Sequence, residues 1–155
     1  MNYLRNARVE QRGDNTLTVF VDRGGLVKIS FFGDVQMAHV RDPDVASNNG
    51  LHVASLLDLT ATKLKTIQRR AEAKDNVDIA AALKAGVDLA EALGAARAVY
   101  GSVFNPIAAL KALTYFEDGN LPSLSTSVKE LLRTAAQKSA LESIPLVTAK
   151  PGIIR

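Results

Sequence analysis

Hydrophobic and polar residues change their spacing near Ser55, and that change divides the chain into two kinds of structure. Thr16 to Val21 (TLTVFV) and Leu26 to Phe32 (LVKISFF) are rich in β-branched and aromatic residues, with Asp22, Arg23, Gly24 and Gly25 between them. Such runs flanking a glycine-bearing turn predict a β-hairpin. Gly33-Asp34 is a second turn signal, Val35 to Val40 reads as a third strand, and Arg41 to Gly50 (RDPDVASNNG) reads as a loop.

From Ser55 the apolar period becomes helical. Leu56, Leu57, Leu64, Ile67 and Ala71 form a stripe behind a Ser55/Asp58 capping pair and predict a helix to about Ala73. Asp75 and Asp78 repeat that start signal, with Gly86 as the stop. Asp88 with Glu91 opens a third helix ending at Gly101. Asn105-Pro106 opens a fourth, to about Phe116, because proline suits a first helical position where no N–H is required. EDGNLPS (Glu117 to Ser123) reads as a loop, Ser127 with Glu130 opens a fifth helix, and the chain beyond about Ser143 reads as a fraying tail. Together these predict one α+β domain over 1–155: an antiparallel hairpin or meander over about 16–54, a bundle of about five helices over 55–143 and a tail over 144–155.

With 155 residues and 47% hydrophobic content the chain is long and apolar enough for a real core. Its alanines over Val87 to Leu113 point to close helix packing, and no convincing repeat is found there. Nineteen Lys and Arg against sixteen Asp and Glu give +3, which suits acidic ligands without singling out nucleic acid. There is no cysteine, so disulfides, thiolate metal sites and cysteine nucleophiles are excluded. The N-terminus is polar and no run reaches the roughly 18 apolar residues of a membrane span, so the expectation is a cytoplasmic protein without membrane contact. His39 and His52 sit among alternating apolar neighbours and read as sheet positions rather than metal ligands.

The chemistry concentrates in one cluster. Lys63, Arg70 and Lys74 are spaced by seven and four residues; at about 100° per residue an unbroken helix brings them within about 20° of one face. Asp75 and Asp78 follow at once. Cations beside carboxylates suit a phosphate or nucleotide site: lysine acts as a point charge and arginine as a planar fork for two oxygens. The competing expectation is a solvated ion-pair network without a ligand.

The series K-x6-R-x3-K-D-x2-D, preceded by LLDL and followed by IAAAL, resembles the C-terminal half of the AbiEii-type nucleotidyltransferases, toxins of abortive-infection and toxin–antitoxin systems with a polymerase-β-like core. The likeness runs from residue 15 to about 120, through NTLTV, VKISFFG, VASLLDLTATKL, RAEAKDNVDIAAAL, NPIAALKALTYF and EDGNLP. It implies that Lys63 and Arg70 contact nucleotide phosphates, with Lys74 beside the acidic motif of Asp75 and Asp78.

The family's catalytic signature, a Gly-Ser or Gly-Gly-Thr turn followed by an Asp-x-Asp pair, lies upstream of everything matched, and nothing before Asn15 resembles it. Asp42-Pro43-Asp44 is a literal D-x-D, but it falls in a polar loop. Gly24-Gly25 joins two strands, and the strand that carries a third carboxylate in some relatives has Lys28 and Ser30. No catalytic residue and no metal ligand is therefore assigned. Magnesium and a nucleoside triphosphate are expected only if another chain supplies the missing half, since nucleotidyl transfer needs carboxylate-held metal ions. The partners implied are such a chain, a second copy joined through an exposed sheet edge, or a cognate antitoxin. The alternative is a non-enzymatic module binding a nucleotide, RNA or a protein, with Arg5, Arg8 and Arg12 adding charge, or a structural remnant. No G-x-S-x-G elbow or phosphate loop occurs.

Overall fold

A computed structural model describes residues 4, 6–33 and 37–152. The fold is α+β, a three-stranded antiparallel sheet at the N-terminus followed by five helices. The described residues fall into two compact units that meet in sequence between Gln36 and Met37.

The first unit is a meander of β1 (Arg8–Gly13), β2 (Thr16–Asp22) and β3 (Leu26–Phe32), in the order β1-β2-β3. The predicted hairpin is β2 and β3, in register from Thr16↔Phe32 to Asp22↔Leu26. Its turn closes because Asp22 Oδ1 accepts the N–H groups of Gly24 and Gly25 at 3.0 and 3.1 Å, with Gly24 at φ 78°. That geometry favours glycine. The central strand carries the buried residues Thr18, Val19 and Val21. Across the sheet, Arg8 and Lys28 flank the ring of Phe20 at 5.4 and 5.8 Å.

β1 was not expected. All six of its residues are exposed and only Val9 is aliphatic, so it has no apolar face to mark it; backbone pairing to β2 holds it. The third strand expected at Val35 to Val40 is not found: residues 34–36 lie outside the described residues, and from Met37 to Val40 there is only a bridge from His39 to Lys150. Within the loop predicted over Arg41 to Gly50, β4 (Asp44–Val45) pairs with β5 (His52–Val53), which lies just beyond it.

The second unit contains β4, β5 and the helices α1 (Leu56–Ile67), α2 (Ala73–Lys84), α3 (Leu89–Tyr100), α4 (Pro106–Thr114) and α5 (Thr126–Leu141). Its core is built around Leu64, Ile79, Leu93, Leu113 and Leu132, all fully buried. α1 packs on α2 and α3, and α4 on α5. Ala92, Ala95 and Ala96 are completely buried, which is the close packing that the alanine content implied.

Most caps follow the sequence signals. Ser55, Asp88 and Asn105 accept N–H bonds from the first turns of α1, α3 and α4, and Gly86 and Gly101 follow α2 and α3 with positive φ. The fifth helix starts earlier than expected, capped by Ser125 rather than Ser127. α1 stops at Ile67, well before Ala73. α2 begins behind Glu72, which offers no side-chain cap; Asn120 Oδ1 instead accepts the Ala73 N–H at 2.7 Å. The EDGNLPS loop therefore finishes a helix nearly fifty residues away in sequence.

The described part of the tail does not fray as expected. Ile144 and Val147 pack on the core, Pro145 lies against Gly94, and Lys150 pairs with His39 through two backbone bonds. The buried Asp58 also does more than cap: its carboxylate takes the Ser55 hydroxyl at 2.6 Å and the N–H groups of Val40 and Arg41 at 2.7 and 3.1 Å.

Candidate functional site

The break after Ile67 rearranges the cation series. Lys63 is on α1, Arg70 in the connection that follows and Lys74 in the first turn of α2, so the three do not share one helix face. A continuous helix was the premise of the common stripe; the chain leaves it at Gln68.

The turn instead gathers four of the five residues around Asp75. This carboxylate is fully buried. Lys63 Nζ reaches Asp75 Oδ1 at 2.9 Å and Asp78 Oδ2 at 2.6 Å. Arg70 binds the same Asp75 carboxylate twice, Nε to Oδ2 at 2.9 Å and a terminal nitrogen to Oδ1 at 3.3 Å. Two cations face two carboxylates. Lys74 is exposed and joins no ion pair among the described residues.

Burial pushes the Asp75 pKa up, but hydrogen bonds from Arg70 and Lys63 outweigh it and hold the carboxyl below its ordinary range. Burial pulls Lys63 down, and its bonds to Asp78 and Asp75 more than restore it, leaving it raised. Arg70 is raised by its bond to Asp75 and by that charge. Asp75, Lys63 and Arg70 are therefore each held in the charged form. A guanidinium has five N–H donors, and Asp75 engages only one side of Arg70, whose side chain stays half-exposed.

Arg70 lines two cavities. One, of about 410 Å³, is lined by Thr62, Lys65, Thr66, Arg69, Arg70 and Tyr100, among others. Within it Tyr100 donates to Thr62 Oγ1 at 3.2 Å, and Lys65 donates to the Val103 carbonyl. The other, of about 220 Å³, lies among the α1–α2 connection, α2, the end of α4 and the Asp118–Leu121 segment. Lys63 lines neither; it borders a third hollow with Asp78, Leu56 and Leu59.

Arg69, Lys65 and Asn76 were not singled out from sequence. Arg69 and Lys65 are flanking basic residues that line the larger cavity together with Arg70. Asn76 had a readable signal: with Ile79, Ala80 and Leu83 it occupies the apolar stripe of α2, a polar residue at an inward position.

The other candidates are engaged elsewhere. Asp42 Oδ1 and Oδ2 both accept from Lys150 Nζ at 2.7 Å; that bond and charge lower its pKa, and His39 lies 3.7 Å away. Asp44 is in β4 and His52 in β5. Lys28 pairs with Glu10 at 3.1 Å, and Ser30 bonds Thr18 at 3.0 Å. Among the described residues no group of three or more His, Asp or Glu is placed to hold a metal ion, and no helix is long and apolar enough to cross a membrane.

No family model matches the chain, and neither a curated protein nor a solved structure shows significant similarity to it.

Proposed function

We propose that the helical unit is a nucleotidyltransferase-like phosphate-binding module that holds a nucleotide without transferring it. The observation that carries this reading is Arg70 itself, clamped by a buried carboxylate on one side and lining two cavities. A cation fixed in this way needs little reorganisation to meet a phosphate, and a guanidinium can offer two parallel N–H bonds to its oxygens. Lys65 and Arg69 extend the positive surface along the larger cavity.

Chemistry would require the absent Gly-Ser and Asp-x-Asp half. A second chain could supply it by adding a strand to the meander, and the two edges differ in how they would receive one. β1 is charged and its register shifts between Val9 and Gln11, whereas β3 pairs regularly and exposes Leu26, Phe31 and Phe32. Bulges and charges protect an edge; a regular apolar strand invites pairing. We therefore assign any completing partner, a second copy or a chain bearing the catalytic half, to β3, and place the protein in the cytoplasm.

One observation favours a second reading. The quartet Lys63, Arg70, Asp75 and Asp78 is balanced in charge and fully paired, as a purely structural tie between α1 and α2 would be. Titrating nucleoside triphosphates into the wild-type protein and the Lys63→Ala, Arg70→Ala double mutant separates the two. Binding lost in the mutant supports the phosphate module; equal binding, or none in either, leaves the structural tie. In the presence of magnesium, the isolated chain is expected to transfer no label from a radiolabelled triphosphate to RNA or protein, and robust transfer would contradict the inactive reading.

A further inference from the structure

The smaller cavity is lined by a residue that carries an unmet hydrogen-bonding group. Asn76 is 1% exposed, and its Nδ2 is the buried side-chain nitrogen or oxygen that finds no partner among the described residues. Buried amide donors are almost always satisfied, and one that is not calls for an explanation. Asn76 lines the cavity of about 220 Å³ together with Gln68, Arg69, Arg70, Tyr115 and Asp118.

The surrounding groups restrict what would satisfy it. Arg70 is held by Asp75 on one side only, and Arg69 is exposed and forms no ion pair among the described residues. Gln68 Nε2 is already committed to the Asn105 carbonyl at 2.8 Å. Asp118 is the one carboxylate in the lining, and its Oδ1 accepts the Gly119 N–H at 2.9 Å. The lining therefore has two guanidiniums against one carboxylate, and its uncommitted groups are mainly donors. An acceptor would satisfy the Asn76 donor. The volume falls below the roughly 300–1,000 Å³ of sites that enclose drug-sized ligands, so a whole nucleotide would not fit inside.

We infer that this cavity binds a small oxyanion of the phosphate class, with Asn76 Nδ2 donating from the buried end and Arg69 and Arg70 closing over it. The inference rests on the phosphate-binding reading above, and deepens it by moving the site to the Arg70 side of Asp75, away from Lys63. The oxyanion is either free phosphate or a phosphoryl group projecting from a larger molecule whose remainder lies outside.

The test is an NMR titration of the intact chain at constant ionic strength, following the Asn76 side-chain amide. Inorganic phosphate should move that resonance saturably, and chloride should not. Asn76→Leu and Arg69→Ala should each weaken phosphate binding by about tenfold, equivalent to about 1.4 kcal/mol. Lys63→Met should leave it within about twofold, because Lys63 does not line this cavity. A nucleoside triphosphate that shifts the same amide identifies a projecting phosphoryl group; phosphate alone doing so identifies the free ion. If phosphate binds here while nucleotides bind nowhere, the cavity stands and the nucleotide reading falls. No saturable shift of the Asn76 amide in the wild type, or undiminished phosphate binding by Asn76→Leu, overturns the inference and leaves the cavity to water.

Discussion

Arg70 grips the Asp75 carboxylate by two nitrogens, and because Asp75 is fully buried while Arg70 is half-exposed, the pair joins the interior of α2 to the surface of the α1–α2 turn. The carboxylate fixes the cation, and Lys63 shares the same anchor from α1. Removing the charge from Asp75 should therefore disturb both helices. Asp75→Asn keeps the shape but turns a donor toward Arg70 and Lys63, and should lower unfolding stability by about 1–3 kcal/mol, read by urea denaturation.

The same pair sets a pH dependence. Asp75 is held below its ordinary pKa in the folded state, so between the folded and unfolded values the unfolded chain binds more protons, and stability rises with pH. The contribution is complete above the unfolded value of about 3.9 and is lost as pH falls through the folded one. The stability gap between wild type and Asp75→Asn should be constant from about pH 5 to 7 and shrink below about pH 4. A gap that stays constant into acid would mean that the pair does not lower the Asp75 pKa.

Gly94 offers a test of the docked tail. A Cβ at this position would lie 2.5 Å from the Pro145 carbonyl oxygen, which is backbone and cannot swing aside. Gly94→Ala should displace the segment around Pro145 at a cost of about 1–3 kcal/mol. Hydrogen exchange at Lys150, whose N–H bonds the His39 carbonyl at 2.7 Å, should accelerate while exchange in the centres of α1 and α3 changes little.

Asn76 separates stability from binding. An unpartnered buried donor costs roughly 1–3 kcal/mol relative to a satisfied one, and an apolar residue of similar shape removes that cost. Asn76→Leu should raise the stability of the ligand-free protein by about 1 kcal/mol, seen as a higher Tm, while losing phosphate affinity. Opposed changes of this kind mark a residue kept for a ligand.

The helices were legible because their ends are local events. Asp88, Asn105-Pro106, Gly86 and Gly101 act within one turn of themselves, and the structure places caps and stops there. What stayed hidden depends on distant partners. α2 is capped by Asn120, β1 has no apolar face and exists through its pairing with β2, and the tail is held by His39 and Gly94. The site divides in the same way. The spacing of Lys63, Arg70, Asp75 and Asp78 marked a cluster, but its expected geometry assumed that α1 continues past Ile67. Ending α1 there replaces a stripe by a ring of pairs, removes Lys74 from it and turns Arg69 toward the cavities.

Arg70, fixed by Asp75, is expected to meet a phosphate. The decisive measurement is isothermal titration of a nucleoside triphosphate into the wild-type chain and into Arg70→Ala, Lys63→Ala and the double mutant, with folding verified by circular dichroism. Expected are saturable binding by the wild type, a loss of at least about tenfold in Arg70→Ala and in the double mutant, and binding within about twofold of wild type in Lys63→Ala. A folded Arg70→Ala that binds as tightly as the wild type, or a wild type that does not bind, would contradict this and leave the quartet as a structural tie between two helices.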